Sequence, residues 1–276
     1  MGLTAMSTST HEVYGAPCWV SLMARDLAAA EHFYGEVLGW SFRRTGLGEA
    51  FRVAFRDGVP VAGIGAFAEK LSVPVAWTPY FAVDDADVTA ARIVERSGTL
   101  AVGPLTFGTG RAALAADREG AVFGIWQGNA IPDWHVGREN APAWLELRTR
   151  HALDAAIFYG EVLDWACDTE GCCDASYEDG HVVLRHSGHP VARIRGGAPE
   201  DAPDPQIRPR WHVNFRVPDL EAAVATALGL GGSEVRTGRE DEAGRRHATL
   251  RDPDGGLFTI ATTAEADPYE PTRPLI

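Results

Sequence analysis

The sequence predicts an α+β protein built from two tandem copies of one domain, each copy a pair of βαβββ units. Two observations predict it. The block WVSLMARDLAAAEHFYGEVLGW at 19–40 aligns without gaps on WLELRTRHALDAAIFYGEVLDW at 144–165. The matches then continue in order: DGVPVAG (57–63) with SGHPVAR (187–193), WTPYFAVDD (77–85) with WHVNFRVPD (211–219), and DREGAVFGI (117–125) with DPDGGLFTI (252–260). Self-similarity at this spacing means duplicated structural units. The spacing drifts near EGCCD and GGAPEDAPDPQIRPR, which have loop compositions that tolerate insertions.

The elements of the first copy follow in order. CWVSLMA reads as a short strand. Behind Asp26 as the cap, Leu27, Ala30, Phe33, Tyr34, Val37 and Leu38 recur at helical spacing. WSFRRT, FRVAFR and VAGIGAF read as three strands, separated by tight-turn residues such as DGVP. The order then restarts with PYFAVDD, a helix over about Asp85 to Ser97, and strands at TLAVGPLTF, RAALAAD and AVFGIWQ. The domains are placed at 13–128 and 140–263, with a linker at 129–139 and a proline-bearing tail at 264–276.

Composition narrows the function. The chain has 276 residues, 45% of them hydrophobic and 23% charged, as in ordinary globular proteins. Its net charge of −13 comes from 38 acidic against 25 basic residues. Phosphate backbones and anionic lipids repel such a surface, and no Lys/Arg run offsets it, so neither nucleic acid nor a membrane is an expected partner. The opening MGLTAMSTSTHE lacks a basic region and an apolar core, so a cytoplasmic location is expected. The four cysteines, Cys18, Cys167, Cys172 and Cys173, are too few and too irregular for a disulfide framework or a structural zinc site; buried or half-buried thiols are the expectation, with the Cys172–Cys173 pair open to oxidation. His181, His186 and His189 differ in strand parity or lie past a turn, so an exposed hairpin is expected there. Arg111 and Arg246 are expected to brace the DREG and DPDG turns.

The element order, the FYGEVLGW block and the DPDGG turn before an apolar last strand resemble the vicinal-oxygen-chelate superfamily, which includes glyoxalase I, extradiol dioxygenases, fosfomycin-resistance enzymes and bleomycin-sequestering proteins. The resemblance covers nearly the whole chain and extends to the tandem glyoxalase-like proteins of actinomycete antibiotic clusters. It implies two cup-shaped, incompletely closed β-barrels with ligand in the concave face. In the superfamily's enzymes a divalent metal is held by His, Glu or Gln on set strands. Here those places carry Trp19 and Trp144 on the first strands, Thr78 and His212 on the fifth, and Gly124 and Thr259 on the last. VAGIGAF and VARIRG offer no Asp, Glu or His for a further ligand. Such donors do not make a zinc, iron or nickel centre, so no metal and no other cofactor is expected.

Strand alternation then gives the inward faces. The ligand-binding candidates are Trp19, Ser21, Tyr80 and Trp126 in the first cup, and Trp144, Glu146, His212, Asn214, Arg216 and Thr259 in the second. Neighbours on the same faces are Met23, Ala82, Val122, Arg148, Leu257 and Ala261. Trp19 serves equally well as core filler, and Trp40, Trp77, Trp165, Trp211, Tyr34 and Tyr159 read as structural. A cup lined by aromatics, small residues and a few polar groups suits a flat ring system. The expected function is metal-free binding or sequestration of a small polycyclic aromatic metabolite, which the resemblance implies to be anthracycline-type, in biosynthesis or self-resistance. The alternatives are a lyase, isomerase or dioxygenase with unrecognised metal ligands, a metal-free enzyme in which His212 or Glu146 moves a proton, and an accessory subunit of a biosynthetic oxygenase. Either a monomer or a homodimer is compatible with the tandem arrangement.

Overall fold

The computed structural model describes residues 14–108, 110–129, 134, 143–165, 172–197, 208–240 and 246–262. The opening segment, the tail, most of the linker, residues 166–171 with Cys167, and residues 198–207 of the insertion lie outside these residues. Each repeat forms one eight-stranded mixed sheet. The first comprises β1 (Pro17–Met23), β2 (Ser41–Arg44), β3 (Phe51–Arg56), β4 (Val59–Gly65), β5 (Ala76–Ala82), β6 (Thr99–Phe107), β7 (Gly110–Ala116) and β8 (Val122–Gln127), with helices α1 (Leu27–Leu38), α2 (Ala68–Leu71) and α3 (Ala86–Glu95). Its strand order is β2-β3-β4-β1-β5-β8-β7-β6.

The second sheet repeats this order as β10-β11-β12-β9-β13-β16-β15-β14. Its strands are β9 (Ala143–Arg148), β10 (Cys173–Glu178), β11 (His181–His186), β12 (His189–Arg195), β13 (Arg210–Val217), β14 (Ser233–Glu240), β15 (Arg246–Arg251) and β16 (Leu257–Thr262), with α4 (Ala152–Leu163) and α5 (Leu220–Gly229). The two βαβββ units of each sheet join where β1 pairs antiparallel with β5 and β9 with β13. Among the described residues, the short α2 and the strand that starts within EGCCD at Cys173 were not foreseen in the sequence.

Local chemistry explains the helix ends. Asp26, Asp85 and Asp219 cap α1, α3 and α5 by accepting backbone N–H groups of Ala29, Val88 and Ala222, each cap contributing about 1 kcal/mol. At α4 the equivalent residue is His151, which makes no side-chain cap bond. His151 Nδ1 instead lies 3.0 Å from Glu119 in the other domain.

The apolar parity of the central strands is buried, as alternation predicts: Val20, Leu22, Phe81, Phe123 and Ile125 in the first sheet, Leu145, Leu147, Val213, Phe215 and Ile260 in the second. The helices cover only the flanks of this face. Its centre meets the other domain, so that Trp40 and Trp77 each sit 4.9 Å from Phe215 and Phe81 sits 5.3 Å from Trp211 between ring centroids. α1 packs beside α5, and α3 beside α4. One continuous core therefore spans both sheets.

Tyr34 and Tyr159, from the two copies of the FYGEVL helix, cross this interface reciprocally. Tyr34 donates to Asp252 Oδ2 at 2.8 Å and accepts from Trp77 Nε1 at 2.9 Å. Tyr159 donates to Asp117 Oδ2 at 3.1 Å and accepts from Trp211 Nε1 at 2.9 Å. The other oxygen of each aspartate ties its own turn, accepting from Ala121 and Glu119 or from Gly256 and Asp254. A buried hydroxyl without such partners would cost about 1–3 kcal/mol. Trp165 is likewise buried, its indole donating to the Gly15 carbonyl.

Two expectations need correction. Arg111 and Arg246 do not brace the DREG and DPDG turns. Each lies near the start of its strand, and roughly 20 Å of extended chain separates it from the turn at the far end; Arg111 pairs with Asp87 at the start of α3 and Arg246 with Glu221 at the start of α5. Cys172 is disulfide-bonded where a free thiol was expected, while Cys18 and Cys173 are free and buried. Among the described residues no helix is long and apolar enough to cross a membrane.

Candidate functional site: two unlike cups

The face of each sheet that points away from the shared core forms a cup. In the first sheet the strands curl far enough to bring opposite margins together: Phe67, just past β4, lies 6.1 Å from Phe107 at the end of β6. The partly open cavity between them measures about 260 Å³. Trp19, Ser21 and Met23 of β1, Tyr80 of β5, and Trp126 of β8 all line it, so the four first-cup candidates converge on one space. The register explains this, since Trp19 pairs with Tyr80, Tyr80 with Gly124, and Ala82 with Trp126. A register irregularity between Pro17 and Trp19 also brings Cys18 to the lining.

The rings lie against the sheet because glycine leaves them room. A Cβ at Gly124 would come within 2.3 Å of the Tyr80 ring, one at Gly110 within 2.2 Å of Trp126, and one at Gly63 within 2.5 Å of Phe51 and 2.8 Å of Trp19 Nε1. Real Cβ contacts are never so short, so each ring occupies the place of an absent side chain. The space over Gly124 therefore seats Tyr80 rather than a ligand approaching the sheet.

Polar groups in this cup are few and neutral. The Trp126 indole donates to the Asn129 carbonyl at 3.1 Å. Burial pushes the Cys18 thiol up to about 12 and holds the Tyr80 phenol well above its ordinary value, so both stay protonated. No Asp, Glu, His, Lys or Arg is among the described lining residues. Phe51, Phe67 and Phe107 complete the walls. They were missed because the inward parity had been followed only along the central strands; Phe51 shares its parity with Val53, whose register partner is Gly63. Trp134, from the linker, was also missed. It packs 5.6 Å from Trp19 and donates to the Val61 carbonyl at 3.0 Å.

The second cup has the same backbone and different chemistry. Core-facing Leu145, Leu147, Val213 and Phe215 leave Trp144, Glu146, Arg148, His212, Asn214 and Arg216 on the cup side. Arg216 lies over the Trp144 ring, its guanidinium carbon 3.8 Å from the centroid. Glu146 accepts from Arg148 Nε at 3.0 Å, His212 Nε2 accepts from Arg210 Nε at 3.3 Å, and Asn214 donates to the Trp144 carbonyl at 3.3 Å. Thr259 is buried against Thr249, their hydroxyls 3.2 Å apart. His212 and Glu146 are direct cross-strand neighbours. The structure thus divides the predicted residues between two cups that face away from the common interface.

Neither cup suits the divalent metal that the fold family's enzymes carry. The first offers indole, phenol, thiol and hydroxyl groups without a carboxylate or imidazole. In the second, Glu146 is engaged by Arg148 and the surrounding cations oppose a metal ion. Among the described residues, no three His, Cys, Asp or Glu side chains are grouped so as to hold one. His181 and His189 sit at opposite ends of the β11–β12 hairpin.

Comparison with known proteins agrees with this architecture, and the chain belongs to the glyoxalase-like family of the vicinal-oxygen-chelate superfamily. The Glyoxalase-like domain family matches residues 144–261. The chain is 32% identical to the anthracycline biosynthesis protein DnrV of Streptomyces peucetius, over 92% of this chain and 95% of that one. It is 30% identical to a candidate glyoxylase, CFP32 of Mycobacterium tuberculosis, over 91% and 95% of the two chains. Among solved structures, the Mn(II)-bound glyoxalase of Novosphingobium aromaticivorans superposes with a TM-score of 0.52 at 16% identity, covering 94% of this chain and 84% of the other. That last likeness concerns the fold alone.

Proposed function

We propose that the protein is a metal-free binder of a flat, uncharged polycyclic aromatic metabolite, held in the cup of the first sheet, and that anthracycline-type compounds or their intermediates are the ligand class. The carrying observation is the cavity of about 260 Å³ walled by Trp19, Phe51, Tyr80 and Trp126 without a charged side chain. Aromatic walls favour planar ligands through large contact areas and offset stacking, each ring pair adding about 0.5–1.5 kcal/mol beyond burial. Ser21 and Asn129 supply the few polar contacts that orient such a ligand. The name of the Streptomyces relative, an anthracycline biosynthesis protein, supports the choice of class. In the second cup, a cationic amino sugar would meet arginines, with Glu146 already engaged.

The test is a tryptophan-fluorescence titration of EDTA-treated protein with anthracycline aglycones. Saturable quenching, with the ligand recovered unchanged, is expected. Ligand consumed only after a divalent metal is restored would replace binding by catalysis. A second reading has one observation behind it. His212 faces Glu146 across β9 and β13, which suits proton transfer on a ligand in the second cup. Under that reading His212→Ala abolishes turnover; under ours it leaves affinity for neutral aromatics unchanged.

A further inference from the structure

The second cup differs from the first by more than lost aromatics. At Gly63, Gly65, Met23, Ala76 and Ala82 of the first repeat, the second carries Arg193, Arg195, Arg148, Arg210 and Arg216. Their placement follows from the register. Arg195 pairs with Arg148 and Arg148 with Arg210, setting three guanidinium groups side by side across adjacent strands. Arg193 lies one row inward, opposite Glu146. Ala192 and Ile194 on the other parity are fully buried in the core, so these arginines project into the cup.

Like charges placed directly opposite each other on a sheet destabilise it, and this row stands in a protein of net charge −13. Glu146 pairs with Arg148 and Glu178 with Arg185. Burial, and then the charges of Arg193 and Arg195, hold the His181 imidazole below its ordinary value. Arg193, Arg195, Arg210 and Arg216 each make further interactions within the chain, so the guanidinium groups are positioned rather than loose.

A second, independent observation concerns hydrogen bonds. Trp144 Nε1 and His181 Nδ1 are buried on this face with no hydrogen-bond partner, whereas buried polar atoms in folded proteins are nearly always paired. Arg216 stacks its flat face on Trp144, which sets the plane of its guanidinium N–H groups.

We propose that the cup of the second sheet is an oxyanion site for a small organic acid, with Arg193, Arg195 and Arg216 holding its carboxylate or phosphate. Planar guanidinium forks match both groups in bidentate geometry. The site stands apart from the reading of the first cup and takes the opposite class of ligand.

The experiment is a calorimetric titration of the full chain, in a buffer free of oxyanions, with benzoate and with its neutral isostere benzamide. Benzoate is expected to bind at least about tenfold more tightly, as charge-assisted hydrogen bonds allow. Arg195→Met and Arg193→Gly should each weaken benzoate about tenfold while leaving the titration of the first cup by neutral aromatics unchanged. Inorganic phosphate then separates the sources: displacement of benzoate assigns the site to oxyanions in general, phosphorylated compounds included, and no displacement assigns it to carboxylates. Equal binding of benzoate and benzamide, or none of either, overturns the proposal without any variant having to fold. So does benzoate binding that both substitutions leave intact.

Discussion

The two cups share a strand order, a register and a turn, yet one is apolar and the other cationic. The difference lies in the layer of side chains on one face. Where Gly63, Gly110 and Gly124 make room, Trp19, Phe51, Tyr80 and Trp126 lie down on the first sheet and line a cavity. At positions 193 and 259 the second repeat has Arg and Thr in place of Gly63 and Gly124, and Asn214 replaces Tyr80. The opposite face is alike in both repeats because each sheet must fit the other. Duplication here leaves the shared interface fixed and the two outer faces chemically independent.

The largest expected effect comes from Gly124→Val. The new side chain would displace the Tyr80 ring, so saturable binding of neutral aromatics should vanish and stability should fall by about 1–3 kcal/mol in urea unfolding. At the equivalent site Thr259→Val should cost only about 1 kcal/mol, for the hydrogen bond to Thr249, and leave aromatic binding intact. Equal losses at both positions would dissolve the distinction between the cups.

The interface should instead respond symmetrically. Tyr34→Phe and Tyr159→Phe each strip a buried aspartate and an indole N–H of a partner, and each should cost about 1–3 kcal/mol. A variant near wild type on one side only would mean the reciprocal bonds are unequal. A ligand-specific effect is expected from Trp126→Ala: loss of one stacking wall should weaken aromatic binding about tenfold with little change in unfolding.

A smaller effect concerns pH. Burial raises the carboxyl pKa of Asp117 and Asp252 above the ordinary aspartate value. The folded chain then holds more protons than the unfolded one in the window between the ordinary and the raised values. These two groups therefore favour folding most below that window and lose this contribution as pH rises through it. The stability of wild type relative to Asp252→Asn should decline across the same interval; a difference independent of pH would contradict the assignment. The smallest effect is expected from Arg111→Ala, because its pair with Asp87 is on the surface; its melting temperature should match wild type.

The fold was legible because its signals are local or duplicated. Two-residue alternation separated Trp19, Ser21 and Tyr80 from Val20, Leu22 and Phe81, and Asp26 and Asp85 marked helix starts. What was not legible depends on positions distant in the chain. Nothing near Tyr34 announces Asp252, and nothing near Gly124 announces that Tyr80 fills its place. Arg111 misled because nearness in sequence to DREG is distance along an extended strand. The inward-facing residues of both sheets were identifiable, but which set lines a cavity depends on glycine–aromatic pairs between strands, and that required the structure.

The most direct test of the account is the stoichiometry and location of aromatic binding. Wild type, Tyr80→Ala and Arg195→Met would be titrated in parallel with 1,8-dihydroxyanthraquinone, a neutral planar probe. The account predicts a single equivalent per chain for wild type and Arg195→Met, and loss of that equivalent in Tyr80→Ala. Binding that survives Tyr80→Ala but disappears in Arg195→Met would place the aromatic ligand in the second cup and contradict it.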